Sequence, residues 1–218
     1  MILSRLSVVI LVFLFSGCAS LTAINGSCGS HPNNNICLGE ELIPEGQEEL
    51  FRKSSNEVID AIGSKEFRDD LGRFESLFSK EGPHSLAWSN INVETVPNAL
   101  ISEINGLKIE TYGGIKGLFY KVFFGNVAFD GSLDGPIRLN RWALPRSSAS
   151  IANTISHEAA HRIGLVHPNS GDDLDIANCE PPYVIGSLVE KMIAPNEWNV
   201  ENHCDLFGSD EWRKYKSN

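Results

Sequence analysis

Three histidines and a glutamate fall within eleven residues: His157-Glu158-Ala159-Ala160-His161-Arg162-Ile163-Gly164-Leu165-Val166-His167. On a helix, His157 and His161 are one turn apart, so both imidazoles reach toward a single ion. Glu158 follows the first histidine and is rotated off that face. Its carboxylate is therefore placed to hydrogen-bond a water on the ion rather than to bind the ion itself. Gly164 can take a positive φ, which lets the chain leave the helix sharply and bring His167 back as a third ligand. Three neutral imidazoles leave the double charge of a zinc ion undiminished and a fourth position open. Under those conditions the pKa of a bound water falls to about 7. H-E-x-x-H alone is a weak signal; extended to the third histidine it arises by chance on the order of once in ten thousand chains of this composition. The spacing thus predicts one Zn2+ per chain on His157, His161 and His167, with Glu158 as general base.

The elements that must position these groups are legible around the motif. After Pro145 the pattern is helical: Ser147 or Ser148 can cap the start, and Ile151, Ile155 and Ala159 recur at four-residue spacing. This helix should end near Gly164. Upstream, Leu107 to Tyr112 alternates as a strand does, and Leu118 to Phe124, Val127 to Phe129 and Pro136 to Asn140 are short apolar or β-branched runs read as further strands. Earlier still, Leu50, Val58, Ile59 and Ile62 fall near helical spacing up to Gly63. A second helical run from Ser64 to Phe78 puts Phe67, Leu71, Phe74, Leu77 and Phe78 on one face. A third runs from Tyr183 to Ile193. Gly113, Gly114 and Gly117 are turn glycines and form no phosphate loop, because no Gly-Lys-Ser/Thr follows. Asp172-Asp173-Leu174-Asp175 lacks EF-hand spacing and reads as a solvated loop. His203, beside Cys204, is read as structural, and His31 and His84 lie far from the motif.

The eleven-residue motif and the order of strands before its helix resemble the metzincin clan of zinc metallopeptidases. The resemblance implies an α+β, zincin-like fold: a small twisted mixed sheet packed on the active-site helix, with additional N-terminal and C-terminal helices. It implies that His157, His161 and His167 bind zinc, that Glu158 is the base, and that a strand beside the helix binds extended peptide. Pro136 to Asn140 is the candidate for that strand. The clan also carries a methionine in a turn below the metal. Met192 is the candidate here, although Val184, Leu188 and Met192 read as one helical face, so an ordinary core methionine fits equally. Tyr183, just after the Pro181-Pro182 bend, is the alternative occupant of that place, with a hydroxyl able to stabilise an oxyanion. The expected activity is hydrolysis of peptide bonds in an exported or extracellular protein. The alternatives are a hydrolase of cell-wall peptide cross-links, or a zinc-binding envelope lipoprotein without turnover; the intact Glu158 speaks against the last.

Length and composition set the frame. With 218 residues, 42% of them hydrophobic, the chain can bury one sizeable core. No repeat or second boundary is evident, so residues 41–218 are read as a single domain, expected to be monomeric. The net charge is −10 and the 18 basic residues form no stripe, which excludes nucleic acid as a natural partner. At the start, Arg5 precedes an apolar run from Leu6 to Phe15 and then Gly17-Cys18-Ala19-Ser20. That run is about half the roughly 20 residues a bilayer span requires, and residues 1–17 read as an export signal. Phe15-Ser16-Gly17-Cys18 resembles a bacterial lipobox, which implies a lipid on Cys18. With Ala19 following, it also implies an anchored position at the outer membrane or cell surface. A plain signal peptide with an incidental cysteine is the alternative. Residues 18–40, rich in Gly, Ser and Asn, read as a tether or loop. Assigning Cys18 to lipid leaves four of the five cysteines in an oxidising compartment. Three pairings are open, and the nearest in sequence, Cys28–Cys37 and Cys179–Cys204, are expected.

The anchor gives a direct test. The Cys18→Ser variant should lose all metabolic labelling with radioactive fatty acid, and labelling equal to wild type would assign the lipid elsewhere.

Overall fold

A computed structural model describes residues 21–22, 37–38, 43–44, 48–78, 85–88, 91–105, 107–124, 128–130, 136–143, 146–167, 179–199, 203–204, 207 and 209. The export signal at 1–17, Cys18, Cys28 with its expected partner bond to Cys37, and the Asp172–Asp175 loop lie outside these residues or rest on them.

The chain is α+β. In order come β1 (Leu21–Thr22), β2 (Cys37–Leu38), β3 (Ile43–Pro44), α1 (Glu48–Gly63), α2 (Lys65–Phe78), α3 (Ser85–Trp88), α4 (Val96–Ile104), β4 (Lys108–Tyr112), α5 (Gly114–Phe124), β5 (Ala128–Asp130), β6 (Ile137–Asn140), α6 (Ser148–Arg162) and α7 (Pro181–Ile193). β1 pairs with β3. A mixed sheet has the order β2-β4-β6-β5, with β2, β4 and β6 parallel and β5 antiparallel to β6. Residues 18–40 therefore contribute two short strands, one of them in the main sheet, and are not solely a tether.

The helices form where the apolar periodicity places them. α1 buries Phe51, Val58, Ile59 and Ile62; α2 buries Phe67, Leu71 and Phe74. These side chains join Leu100 and Ile104 of α4, Ile109 of β4, Ile137 and Leu139 of β6, Ile151 and Ile155 of α6, and Val184 and Leu188 of α7 in one continuous core. α6 begins as its sequence requires: Ser147 is the N-cap, and its hydroxyl accepts from the Ser150 amide at 3.2 Å. α2 and α7 are joined by the buried Asp70 carboxylate, which takes the Lys191 ammonium at 2.5 Å and the Arg73 guanidinium at 2.8 Å. A buried carboxylate needs this pairing to remain charged.

Two expectations are corrected. Leu118 to Phe124 is not a strand but the body of α5. In a short, nearly continuous apolar run the period of two and the period of 3.6 look alike. Here the apolar residues Ile115, Leu118, Phe119, Val122 and Phe123 recur at helical spacing, and Gly114, with φ of +67°, turns the chain out of β4. The second correction concerns β6. It lies between β4 and β5 and pairs with both, so its backbone has no edge to offer an extended peptide. Among the described residues, the open edge next to it belongs to β5.

α6 and α7 form the closest helix pair. α6 buries a run of small residues, Ala152, Ser156, Ala159 and Ala160, and meets α7 through Asn153. α7 answers with Gly186, where an added Cβ would lie 2.3 Å from Asn153 Oδ1 and 3.0 Å from the Asn153 backbone oxygen. Asn153 also donates from Nδ2 to Glu190 Oε2 at 2.6 Å, a polar link across the same seam. The Cys179–Cys204 disulfide forms as expected and closes a loop of 25 residues, worth about 3.5 kcal/mol on the chain-entropy model. The Trp88 indole N–H holds the Cys179 carbonyl at 3.0 Å, so the chain is fixed immediately before α7.

The seam makes a prediction. A Gly186→Ala change gains about 1 kcal/mol in helix propensity but overpacks against a backbone oxygen that cannot swing away, at a cost of about 1–3 kcal/mol. The melting temperature should fall by several degrees. A Tm equal to or above wild type, read by calorimetry, would mean that α6 and α7 have slack at this crossing.

Candidate metal centre

The histidines come together as their spacing requires. The ligand nitrogens of His157, His161 and His167 all lie within 4.8 Å of one another. His157 and His161 sit in the last two turns of α6. The helix then ends in a Schellman turn: Gly164 N–H donates to the His161 carbonyl and Leu165 N–H to the Ala160 carbonyl, each at 3.0 Å, with Gly164 at φ +91°. Only a residue without Cβ holds that φ cheaply. The turn reverses the chain and delivers His167 to the two helical rings, 5.1 Å and 4.7 Å from them between centroids.

Each imidazole has one nitrogen tied to the protein. His161 Nδ1–H donates to the Leu165 carbonyl at 2.8 Å, a bond that the Schellman turn itself makes possible. His167 Nδ1–H donates to Glu180 Oε2 at 2.9 Å. His157 is hydrogen-bonded to the backbone of Pro182, which has only a carbonyl to offer, so the ring donates. These partners fix the tautomers and leave Nε2 of each ring as a bare lone pair. His157 Nε2 and His167 Nε2 approach each other to 3.4 Å. That spacing lets both nitrogens reach one cation.

The electrostatics agree with a neutral donor set. Burial pushes the His157 pKa down to about 3, aided by the neighbouring His161 and His167. His167 is also lowered, by burial and then by His161, against the opposing pull of Glu180. Both rings are therefore unprotonated at neutral pH, as ligands must be.

The N-terminus of α7 supplies the rest of the centre. Glu180 is fully buried and occupies the N-cap position, but its carboxylate does not cap the helix and instead binds His167. Sequence reasoning missed this residue, because an acid 13 residues beyond a ligand follows no spacing rule. The only sign was an acidic side chain wedged between Cys179 and Pro181, where a solvated position is hard to arrange. The Tyr183 ring packs on both His157 and His167, 4.6 Å from each centroid. Burial raises its hydroxyl pKa, as do the charges of Glu180 and Glu158, so the phenol stays protonated and Glu158 lies near it. Met192 is in the last turn of α7, nine residues further on and so about 13 Å along the axis. It lines a recess with Glu57, Ala61, Ser64 and Glu66 of the α1–α2 corner. Of the two candidates for the place beside the metal, the structure brings Tyr183 to the histidines and leaves Met192 with the helices behind. His203 is structural in its contacts: it stacks on Trp198 at 4.8 Å and shares a 2.8 Å hydrogen bond with Ser187.

No protein-family model, curated protein or solved structure matches the chain.

The Glu180–His167 pair can be tested apart from any activity. Loss of a carboxylate that orients and polarises a histidine ligand typically costs 10–100-fold in metal affinity. Glu180→Ala should weaken binding of a divalent metal by that factor in chelator competition, with Glu180→Gln intermediate because it can still accept from Nδ1–H. Affinity unchanged in both variants would reduce Glu180 to a packing residue.

Proposed function

We propose that the chain is a zinc-dependent peptidase of metzincin-like, zincin-fold type, exported and held in the cell envelope by a lipid on Cys18. The observation that carries the metal is the 3.4 Å separation of His157 Nε2 and His167 Nε2. Zn–N bonds of 2.0–2.1 Å in a tetrahedral set put ligand nitrogens about 3.3–3.4 Å apart. Three imidazoles with their other nitrogens already satisfied suit zinc in both donor type and number.

His157, His161 and His167 would hold zinc, which would supply a Lewis acid able to bring the pKa of a water down to about 7. The chain's own groups do the rest. Glu158, one residue past His157 and turned from the ligand face, takes the proton of the attacking water on its carboxylate and returns it to the leaving amine nitrogen. Tyr183, protonated and lying against two of the ligand rings, donates its hydroxyl to the developing oxyanion. An extended peptide would pair with the edge of β5 that is open among the described residues. β5 is antiparallel to its neighbour and contacts α6, so it takes the role first assigned to residues 136–140. The most natural substrate is a peptide bond in a protein outside the cytoplasm.

Glu158→Gln separates enzyme from binder. It keeps size and most hydrogen bonding but cannot take a proton, so peptide hydrolysis should fall 10²–10⁴-fold, while zinc content, measured on the same samples, stays at one per chain. Equal hydrolysis by variant and wild type would remove Glu158 from the chemistry. Zinc-loaded wild type that cleaves nothing in a broad peptide library would point to a zinc-binding protein without turnover.

A further inference from the structure

α5 presents its apolar stripe to solvent. Ile115 is 80% exposed, Phe123 68%, Val122 65% and Phe119 49%, with Leu118 beside them. The spacing i, i+3, i+4, i+7, i+8 is that of a helix face normally turned to a core. The opposite side explains the inversion. Gly117 is buried against Asn140 and Trp142, and the Asn140 amide donates to the Gly117 carbonyl at 2.9 Å. The helix thus packs a residue with no side chain against Asn140 and Trp142 and turns Ile115, Phe119, Val122 and Phe123 outward. Trp142, 41% exposed, hydrogen-bonds the Gly114 carbonyl at the start of the helix, and the Arg141 guanidinium lies 5.7 Å from its ring centroid.

We infer that α5, with Trp142, is a bilayer contact: the anchored protein rests this face in the interfacial layer of an anionic membrane. Three observations select a membrane as the occupant. α5 carries Lys116 and Lys121 and no acidic residue, in a chain whose net charge is −10. Apolar and aromatic side chains combined with lysines are the composition of helices that lie in the interface, and tryptophan with arginine suits the headgroup level. Next, an attachment at Cys18 is three residues from β1, which pairs with β3 just before α1. Three residues span only about 10 Å, so the bilayer stays within one protein diameter of the whole body. Last, the side chains stand out from the surface, which suits a fluid layer that yields around them. Among the described residues no helix is long and apolar enough to cross a membrane, so the contact lies on the bilayer and does not span it. This inference rests on the proposed export and anchoring segment and is independent of the zinc chemistry.

The test uses the full chain in vesicles of phosphatidylcholine and phosphatidylglycerol, with ordinary or brominated acyl chains. The Trp142 emission is isolated as the difference between wild type and Trp142→Phe. Brominated lipid should quench that component by more than half, and Ile115→Ser combined with Val122→Ser should abolish the quenching. Vesicle sedimentation reads the N-terminal attachment separately. A chain that sediments but shows equal Trp142 emission in both lipids overturns the contact and leaves the anchor standing. A chain that does not sediment overturns both. Quenching retained in the double variant removes the stripe as the contact. Absence of quenching together with Lys121–Lys121 cross-links assigns the face to a second copy of the chain.

Discussion

The centre depends on one constraint: each histidine must give one nitrogen to the protein so that the other points inward. A free imidazole rotates about χ2 and offers either nitrogen. Here the Leu165 carbonyl and the Glu180 carboxylate each hold an Nδ1–H and the Pro182 backbone holds the His157 ring, and the three rings converge. Two of those acceptors come from the first turn of α7 or the residue before it. The motif helix α6 is therefore only half of the site. Without α7 in register, His157 and His167 would keep their positions in the chain but lose their orientation.

That register explains features of the fold that look remote from chemistry. Gly186 on α7 lets that helix come up against the Asn153 backbone of α6. The Asn153–Glu190 hydrogen bond sets their relative slide, and Asp70 with Lys191 ties the far end of α7 to α2. At the near end, the Cys179–Cys204 disulfide and the Trp88 indole fix the residue that precedes Glu180. Glu180 is a buried acid, which is tolerable because it faces a donor and the amide end of a helix. A buried charge of this kind in turn penalises any packing in which His167 is not opposite it.

How much of this was legible in the sequence follows from the range of each interaction. The motif, its helix and the Gly164 turn are local, and spacing alone predicts them; the sequence narrows the cap to Ser147 or Ser148, and Ser147 takes it. The helices α1, α2 and α7 and the strands β4 and β6 carry clear periods. What escaped has a common cause. The Glu180–His167 bond and the fit of Gly186 to Asn153 join residues whose separation in the chain obeys no rule. The helical state of α5 was hidden because its outward face is as apolar as a core face, so hydrophobicity no longer reported which side was inside. The central place of β6 depends on β5 pairing antiparallel beside it, which a list of strand runs does not specify.

The position of Tyr183 bears on whether the centre is built to react or only to bind. A structural zinc site is closed by a fourth protein ligand. Among the described residues, Glu158 and Tyr183 are polar groups close to the rings. Glu158 is adjacent to His157 on the helix, so its Cα is about 100° around the axis from that ligand. Tyr183 lies with its ring against two ligand imidazoles, and its neutral phenol is kept from ionising by burial and by the nearby carboxylates of Glu180 and Glu158. A neutral phenol is a poor metal ligand but a good hydrogen-bond donor. Burial, and after it the two acidic neighbours, hold the proton on the tyrosine and make it a hydrogen-bond donor beside the histidines. A hydrogen-bond donor in that place is what the proposed hydrolysis asks of Tyr183.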